Sequence, residues 1–170
     1  AYNEELVIGP VIKRLVTHLD NLNRTYEVLV VSDGSTDETN RVVKGFESPV
    51  RLIELPYNIG NGAAIKTGIR RAQGEIIICM DADGQHQPED VERFLKDCER
   101  FDMVVGARSK GSQAGIHRRV ANGVYNLFAS YVTGRRIEDR TSGFRAMKTN
   151  VAKRFVGLLP NGFSYPTTIT

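Results

Sequence analysis

Tryptophan is absent from the 170-residue sequence, cysteine occurs twice and proline six times. Two cysteines, Cys79 and Cys98, cannot make the dense disulfide framework of a small secreted domain. Cys79 falls inside the apolar run Ile76-Ile77-Ile78-Cys79-Met80, where a buried free thiol is expected, and with it a reducing, cytosolic setting. No apolar run approaches the roughly 18–20 residues that cross a bilayer. The 16 glycines and six prolines are scattered, which excludes collagen and low complexity. With 41% hydrophobic and 25% charged residues, a disordered chain is excluded too. A single domain over residues 1–170 is expected.

The net charge of +3 hides an asymmetry. Residues 1–107 hold 12 Lys and Arg against 18 Asp and Glu, whereas residues 108–154 hold 11 basic residues and only Glu138 and Asp139 as acids. Residues 155–170 carry no charge. The basic stretch, with Arg108, Lys110, Arg118, Arg119, Arg135, Arg136, Arg140 and Arg145, is expected to meet an anion or an anionic surface.

Helical and extended patterns alternate. Ile8, Val11, Ile12, Leu15, Leu19 and Leu22 recur at helical spacing, with Asn3 as expected cap and Glu4 and Glu5 in the first turn. Residues 27–31 read as a strand running into Ser32-Asp33-Gly34-Ser35, followed by a helix from about Asp37 to Phe46 capped by Thr36 or Asp37. Further strands are expected at 50–55, 75–80, 102–106 and 144–148, and further helices at 60–72, opened by Gly60-Asn61-Gly62, and at 88–100, 117–132 and 151–159. Near-continuous apolar strands alternating with helices predict an α/β fold, a mostly parallel sheet covered on both faces. Ligands of such sheets bind beyond the carboxyl ends of the strands. Asp33-Gly34-Ser35, Asp81-Ala82-Asp83 and Gly106-Ala107-Arg108 all fall there.

Asp81 and Asp83 leave an apolar strand one residue apart, with Gln85 close behind. Two carboxylates at 4 Å repel by about 1 kcal/mol in water and several times that in a partly buried cleft. A divalent cation relieves the conflict, and oxygen-only donors favour Mg2+ or Mn2+. The alternative is a plain turn before the Pro88 helix. Gly60-Asn61-Gly62 matches neither dinucleotide-binding nor P-loop spacing, so close helix packing is its expected role. His86 and His117 lack partners at zinc spacing, and Ser35 has no visible His–Asp partnership for hydrolase chemistry.

In order along the chain, Tyr2-Asn3-Glu4, Ser32-Asp33-Gly34-Ser35-Thr36-Asp37, Asn58-x-Gly60-x-Gly62-Ala63, Asp81-Ala82-Asp83, Gly106-Ala107-Arg108 and Asp139-x-Thr141-Ser142-Gly143-Phe144-Arg145 resemble the motifs of the family 2 glycosyltransferases, above all the dolichol-phosphate mannose synthase-like, polyprenyl-phosphate branch. The resemblance implies a GT-A fold, a nucleotide-diphosphate sugar donor, a divalent metal and inversion at the anomeric carbon. Carried over residue by residue, it places Tyr2, Glu4, Val31 and Asp33 around the base and ribose. Asp81, Ala82, Asp83 and Gln85 would surround metal and diphosphate, with Asp83 the principal ligand. Arg108 would face phosphate, Arg118 the acceptor phosphate, and Asp139 would be the catalytic or site-shaping acid. Asn122 stands where that branch often has Ser, and Ser32 replaces the first Asp of a frequent pair. The family's first strand would precede Ala1, and its late Arg/Lys segment would lie beyond Thr170.

The resulting expectation is a GDP- or UDP-linked donor bound by a half at 1–107 and an acceptor received by 108–170. A polyprenyl phosphate at the cytoplasmic face of a membrane is the expected acceptor, reached through peripheral contact, with a saccharide hydroxyl as the alternative. No nucleic-acid partner is expected. The missing tryptophan favours single-sugar transfer over processive synthesis, whose enzymes carry a Trp-containing acceptor motif. Nucleotidyl transfer would want a basic, glycine-rich loop where Tyr2-Asn3-Glu4-Glu5 is acidic. The Asp81/Asp83 pair argues against a non-catalytic nucleotide-binding module.

Overall fold

The computed structural model describes residues 1–106 and 143–162. α1 (Ile8–Asp20) forms because Ile8 and Ile12 face the interior one turn apart, with Leu15, Val16 and Leu19 packed beside them. Burying an isoleucine is worth about 1.5–3 kcal/mol, more than the helix gains from its uncapped start. β1 (Val28–Ser32) and β2 (Val50–Glu54) pair in parallel from Val28 opposite Val50 to Ser32 opposite Glu54. Between them runs α2 (Thr39–Lys44), whose Val43 joins Val28, Val30 and Val50 in the first core. Ala1 lies along β1, its nitrogen donating to Val31 O at 2.8 Å and its carbonyl accepting from Asp33 N at 2.8 Å.

α3 (Asn61–Arg71) leads to β3 (Ile76–Cys79); a 3-10 turn at Pro88–Asp90 then opens α4 (Val91–Cys98), and β4 (Met103–Val105) follows. Pro88 occupies the first turn, where its missing N–H costs nothing. β5 (Arg145–Lys148) continues directly into α5 (Thr149–Phe155) and a 3-10 turn at Val156–Leu158. Cys79 and Cys98 are both buried and free, as the apolar run around the first predicted.

The described strands form two sheets, the parallel pair β1–β2 and a three-stranded sheet in the order β3–β5–β4 that is less simply parallel than the strand pattern predicts. β5 runs antiparallel between β3 and β4, placing Cys79 and Val105 opposite Arg145 and Ile77 and Met103 opposite Met147. β3 and β4 therefore share a direction without bonding each other. A second core of Ile69, Cys79, Met147, Ala152 and Leu159 packs α3 and α5 on one face of this sheet. A third, with Val91, Phe94, Cys98, Phe144 and Ala146, packs α4 on the other. Among the described residues no helix is long and apolar enough to cross a membrane. The helix expected at 117–132 lies outside the described residues.

Candidate functional site

Two sequence motifs prove to be one piece of structure. Asn3 N donates to Ser35 Oγ at 3.1 Å, Asn3 Oδ1 accepts from Thr36 N at 2.9 Å, and Glu4 N donates to Thr39 Oγ1 at 2.8 Å. Glu5 N donates to Asp37 Oδ2 at 3.1 Å, while Glu5 Oε2 accepts from Glu38 N at 2.9 Å. Asn3 is thus no cap of α1, which begins four residues beyond Glu4. With φ of +53°, Asn3 turns its side chain away to the loop before α2. Asp37 does serve the start of α2, its Oδ1 accepting from Thr39 N at 3.0 Å. Partial desolvation pushes Asp37 up, but the hydroxyl and N–H of Thr39 and the N–H of Glu5 outweigh it and hold the carboxyl below its ordinary value.

Asp33 lies at the end of β1 and is only 4% exposed. Its Oδ1 accepts from Ile59 N and its Oδ2 from Gly60 N, both at 2.9 Å. The carboxylate therefore pins the loop that opens α3, and each oxygen keeps a second lone pair for a ligand. Gly34, with φ of +69°, lets that loop come close, since a Cβ there would sit 2.5 Å from Asn58 N. Val31 is buried in β1, its Cγ2 turned toward Gly68 of α3. Tyr2 and Glu4 lie on the rim, with Tyr2 45% exposed. Gly60 and Gly62 cradle the chain's own backbone rather than a phosphate. A Cβ on Gly60 would meet Asn161 O at 2.6 Å, one on Gly62 would meet it at 2.9 Å, and Ala63 N donates to that same oxygen.

The acidic turn after β3 divides its two carboxylates between different surroundings. Asp81 Oδ2 stands 3.3 Å from His86 Nε2, and a Cβ on Gly143 would lie 2.6 Å from Asp81 Cγ. The carboxylate is thus seated on the Gly143 backbone. The His86 ring packs 4.8 Å from Phe144, which Phe94 meets edge-on at 4.5 Å. Asp83 is exposed, its Oδ1 accepting from Gln85 N at 3.0 Å across a turn that Gly84 makes with φ of +77°. Ala82 packs against the first core, and Gln85 is exposed. Asp33, Glu4 and Asp81 all lie near the Ala1 nitrogen, so the three acidic motifs converge at one edge.

The donors at this turn are two carboxylates and one amide oxygen, the set a hard divalent cation accepts. Among the described residues no three His, Cys, Asp or Glu side chains gather as a metal cage. Asp83 and Gln85 are exposed at this turn, and Asp81 contacts His86 and the Gly143 backbone. Arg108, Arg118 and Asp139 lie outside the described residues, as do Ala107, Thr141, Ser142 and the remaining basic residues between 108 and 140. Arg145, placed by its sequence position among the cations facing an acceptor, is instead fully buried in β5 beside Cys79. Burial raises the Cys79 thiol to about 11, with Arg145 pulling the other way.

Sequence reasoning missed His86 and Gly143 as parts of this site. In the sequence His86 reads as part of a turn before the Pro88 helix without partners at zinc spacing, although it follows Asp81 by five residues. Gly143 sits in a motif already singled out, yet nothing in the sequence says which carboxylate it accommodates.

The glycosyl transferase family 2 model matches residues 1–156. The undecaprenyl-phosphate 4-deoxy-4-formamido-L-arabinose transferase of Photorhabdus laumondii is 30% identical over 98% of this chain and 55% of that protein. The dodecaprenyl-phosphate galacturonate synthase of Rhizobium johnstonii is 30% identical over 90% of this chain and 47% of that protein. The chain spans about half the length of these relatives. Among solved structures, glucosyl-3-phosphoglycerate synthase from Mycobacterium tuberculosis, in complex with Mn2+ and UDP-glucose, superposes with a TM-score of 0.77 at 21% identity. That match covers 99% of this chain and 60% of the other.

Proposed function

The chain belongs to glycosyl transferase family 2, and from that premise we propose that it moves a sugar from a nucleotide-diphosphate sugar to a polyprenyl phosphate, inverting the anomeric carbon with the aid of Mg2+ or Mn2+. Its α/β architecture is of the GT-A type. The observation that carries the reading is the divided acidic turn, with Asp81 seated on Gly143 and braced by His86 while Asp83 faces outward. A cation bound there supplies positive charge where negative charge grows on the departing diphosphate.

The residues of this chain orient the reactants around that turn. Asp33 braces the 59–60 loop, and the bonds of Asn3 N to Ser35 Oγ and Glu4 N to Thr39 Oγ1 anchor the rim of Tyr2 and Glu4 that would border base and ribose. Gln85 adds a neutral donor that does not repel the diphosphate. We assign Arg108 to phosphate and Arg118 to the acceptor phosphate from the resemblance of their motifs to the polyprenyl-phosphate branch of the family. The two relatives named for polyprenyl-phosphate substrates support the acceptor class, and the acceptor would place the reaction at the cytoplasmic face of a membrane.

A thermal-shift panel of UDP, GDP and their sugars, each with and without Mn2+, tests the donor. A metal-dependent rise with one nucleotide family is expected, and no response to any of them would sink the reading. Turnover with undecaprenyl phosphate against a soluble saccharide then tests the acceptor. Product formed only with the saccharide would replace the lipid reading with transfer to a hydroxyl.

A further inference from the structure

The side formed by α3, α5 and the following 3-10 turn carries none of the described side chains assigned to the site. Lys153 Nζ joins the two helices by donating to Ala72 O at 2.8 Å, next to the exposed Arg70 and Arg71. Lys66 Nζ holds the far end by donating to Leu159 O at 3.1 Å. Residues 55–74 and 140–162, which supply this side, contain no Asp or Glu. Six described cations elsewhere (Arg14, Arg41, Lys44, Arg51, Arg93 and Lys148) each have a carboxylate within salt-bridge distance, but among the described residues none is paired with Arg70, Arg71, Lys153 or Arg154.

Two large apolar side chains stand out beside these unpaired cations. Leu158 is 74% exposed and Phe155 47%, and the Arg154 guanidinium lies 5.6 Å from the Phe155 ring centroid. A solvated helix face explains the arginines, since basic residues complement the ends of α3 and α5. It does not explain Phe155 and Leu158, which expose apolar surface for no internal gain. Exposed apolar side chains on the same side as cations that have no carboxylate partner among the described residues are what an anionic bilayer surface accepts, the rings and methyls entering the headgroup layer and the guanidiniums meeting phosphates.

We propose that this α3–α5 face docks on an anionic lipid surface, with Phe155 and Leu158 inserted and Arg70, Arg71 and Arg154 against the headgroups. Its biological sense rests on the polyprenyl-phosphate reading, because the chain runs from Leu158 straight to Pro160 and Asn161 over Gly60 and Gly62, at the start of α3. Docking would thus set the strand-end edge beside the membrane that holds such an acceptor.

The test is co-sedimentation of the purified protein with vesicles of phosphatidylcholine plus phosphatidylglycerol, and with phosphatidylcholine alone, in the absence of donor and acceptor. Binding to the anionic vesicles is expected, weakening with salt and falling about fivefold for each cation removed in Arg70→Gln and Arg154→Gln. Phe155→Ser/Leu158→Ser, at exposed positions that the fold tolerates, should also lose the binding. Equal binding to neutral vesicles, unchanged binding in both sets of variants, or a dimer that buries this face and ignores vesicles would each overturn the proposal. Turnover of detergent-dispersed undecaprenyl phosphate by the same variants separates the two readings. Retained turnover with lost vesicle binding is the expected result, whereas turnover lost alongside it would show that the face serves the reaction rather than the membrane.

Discussion

The Asp81 carboxylate rests on the backbone of Gly143, so close that a methyl group at Gly143 would come within 2.6 Å of Asp81 Cγ. This contact joins the acidic turn after β3 to the segment that enters β5. It also explains why a glycine stands there, since any side chain would push the carboxylate out of its seat.

Gly143→Ala should therefore damage the site more than the fold. The atom displaced is the end of a side chain, which can swing away, so the melting temperature should change little. Because Asp81 helps hold the proposed cation, affinity for Mn2+ in the presence of nucleotide should fall by about 10–100-fold, as for other losses of a ligand's support. Titration calorimetry with Mn2+ and thermal unfolding together check this. A variant that keeps full metal affinity would show the contact to be packing alone.

Asp83→Asn separates charge from shape at the open side of the turn. The amide can still accept from Gln85 N, so the turn should survive. Metal-dependent transfer should be abolished, because the charge that holds the cation is gone. A near-normal rate with Mg2+ or Mn2+ would remove Asp83 from the metal assignment.

Asp33 is expected to serve stability and nucleotide binding at once. Asp33→Ala leaves the N–H groups of Ile59 and Gly60 without their acceptors, at about 1–3 kcal/mol each where water cannot replace them. Urea unfolding should register that loss in the absence of any ligand. Asp33→Asn keeps one acceptor and should recover part of the stability while still weakening nucleotide binding. Unchanged stability in Asp33→Ala would refute the bracing role.

The elements themselves were largely legible in the sequence, because their apolar spacing is set by burial that the structure reproduces at Ile8, Ile12, Val28 and Val30. The convergence of Asp33 and Asp81 at one edge was legible for the same reason, as both follow apolar strands. What was not legible depends on contacts distant in sequence. β5 is four residues long, and its place between β3 and β4 is decided by Met147 and Ala146 packing in two cores. Asn3 has the composition of a helix cap, yet the Thr36 N–H 33 residues away wins its side chain. Arg145 looked like one cation of a basic stretch because charge patterning carries no information about strand register.

Acid should loosen the joint between residues 3–5 and the start of α2. The Asp37 carboxyl is held below its unfolded value, so its contribution is present above the unfolded pKa and is lost as pH falls through the lower, folded one. Asp37→Asn should flatten the acid limb of a stability–pH curve below about pH 4 without changing its alkaline side. An identical acid limb in wild type and variant would show that the three donors around Asp37 contribute nothing to folding.

The acceptor decides what Asp139 and Arg118 must do. A phosphate monoester has a second pKa near ~6 and is mostly dianionic at pH 7, so it can attack the anomeric carbon with no base to deprotonate it. A sugar hydroxyl needs one, and Asp139 would be the candidate. With a polyprenyl phosphate, Asp139→Asn should keep substantial activity at pH 7. Arg118→Ala should instead raise the KM for polyprenyl phosphate by about 10–100-fold, the worth of one charge-assisted hydrogen bond, with little change in the KM for the nucleotide sugar. Steady-state kinetics with each substrate varied in turn measures both. If Asp139→Asn is inactive and Arg118→Ala leaves both constants alone, the acceptor is a hydroxyl and the basic stretch has another partner.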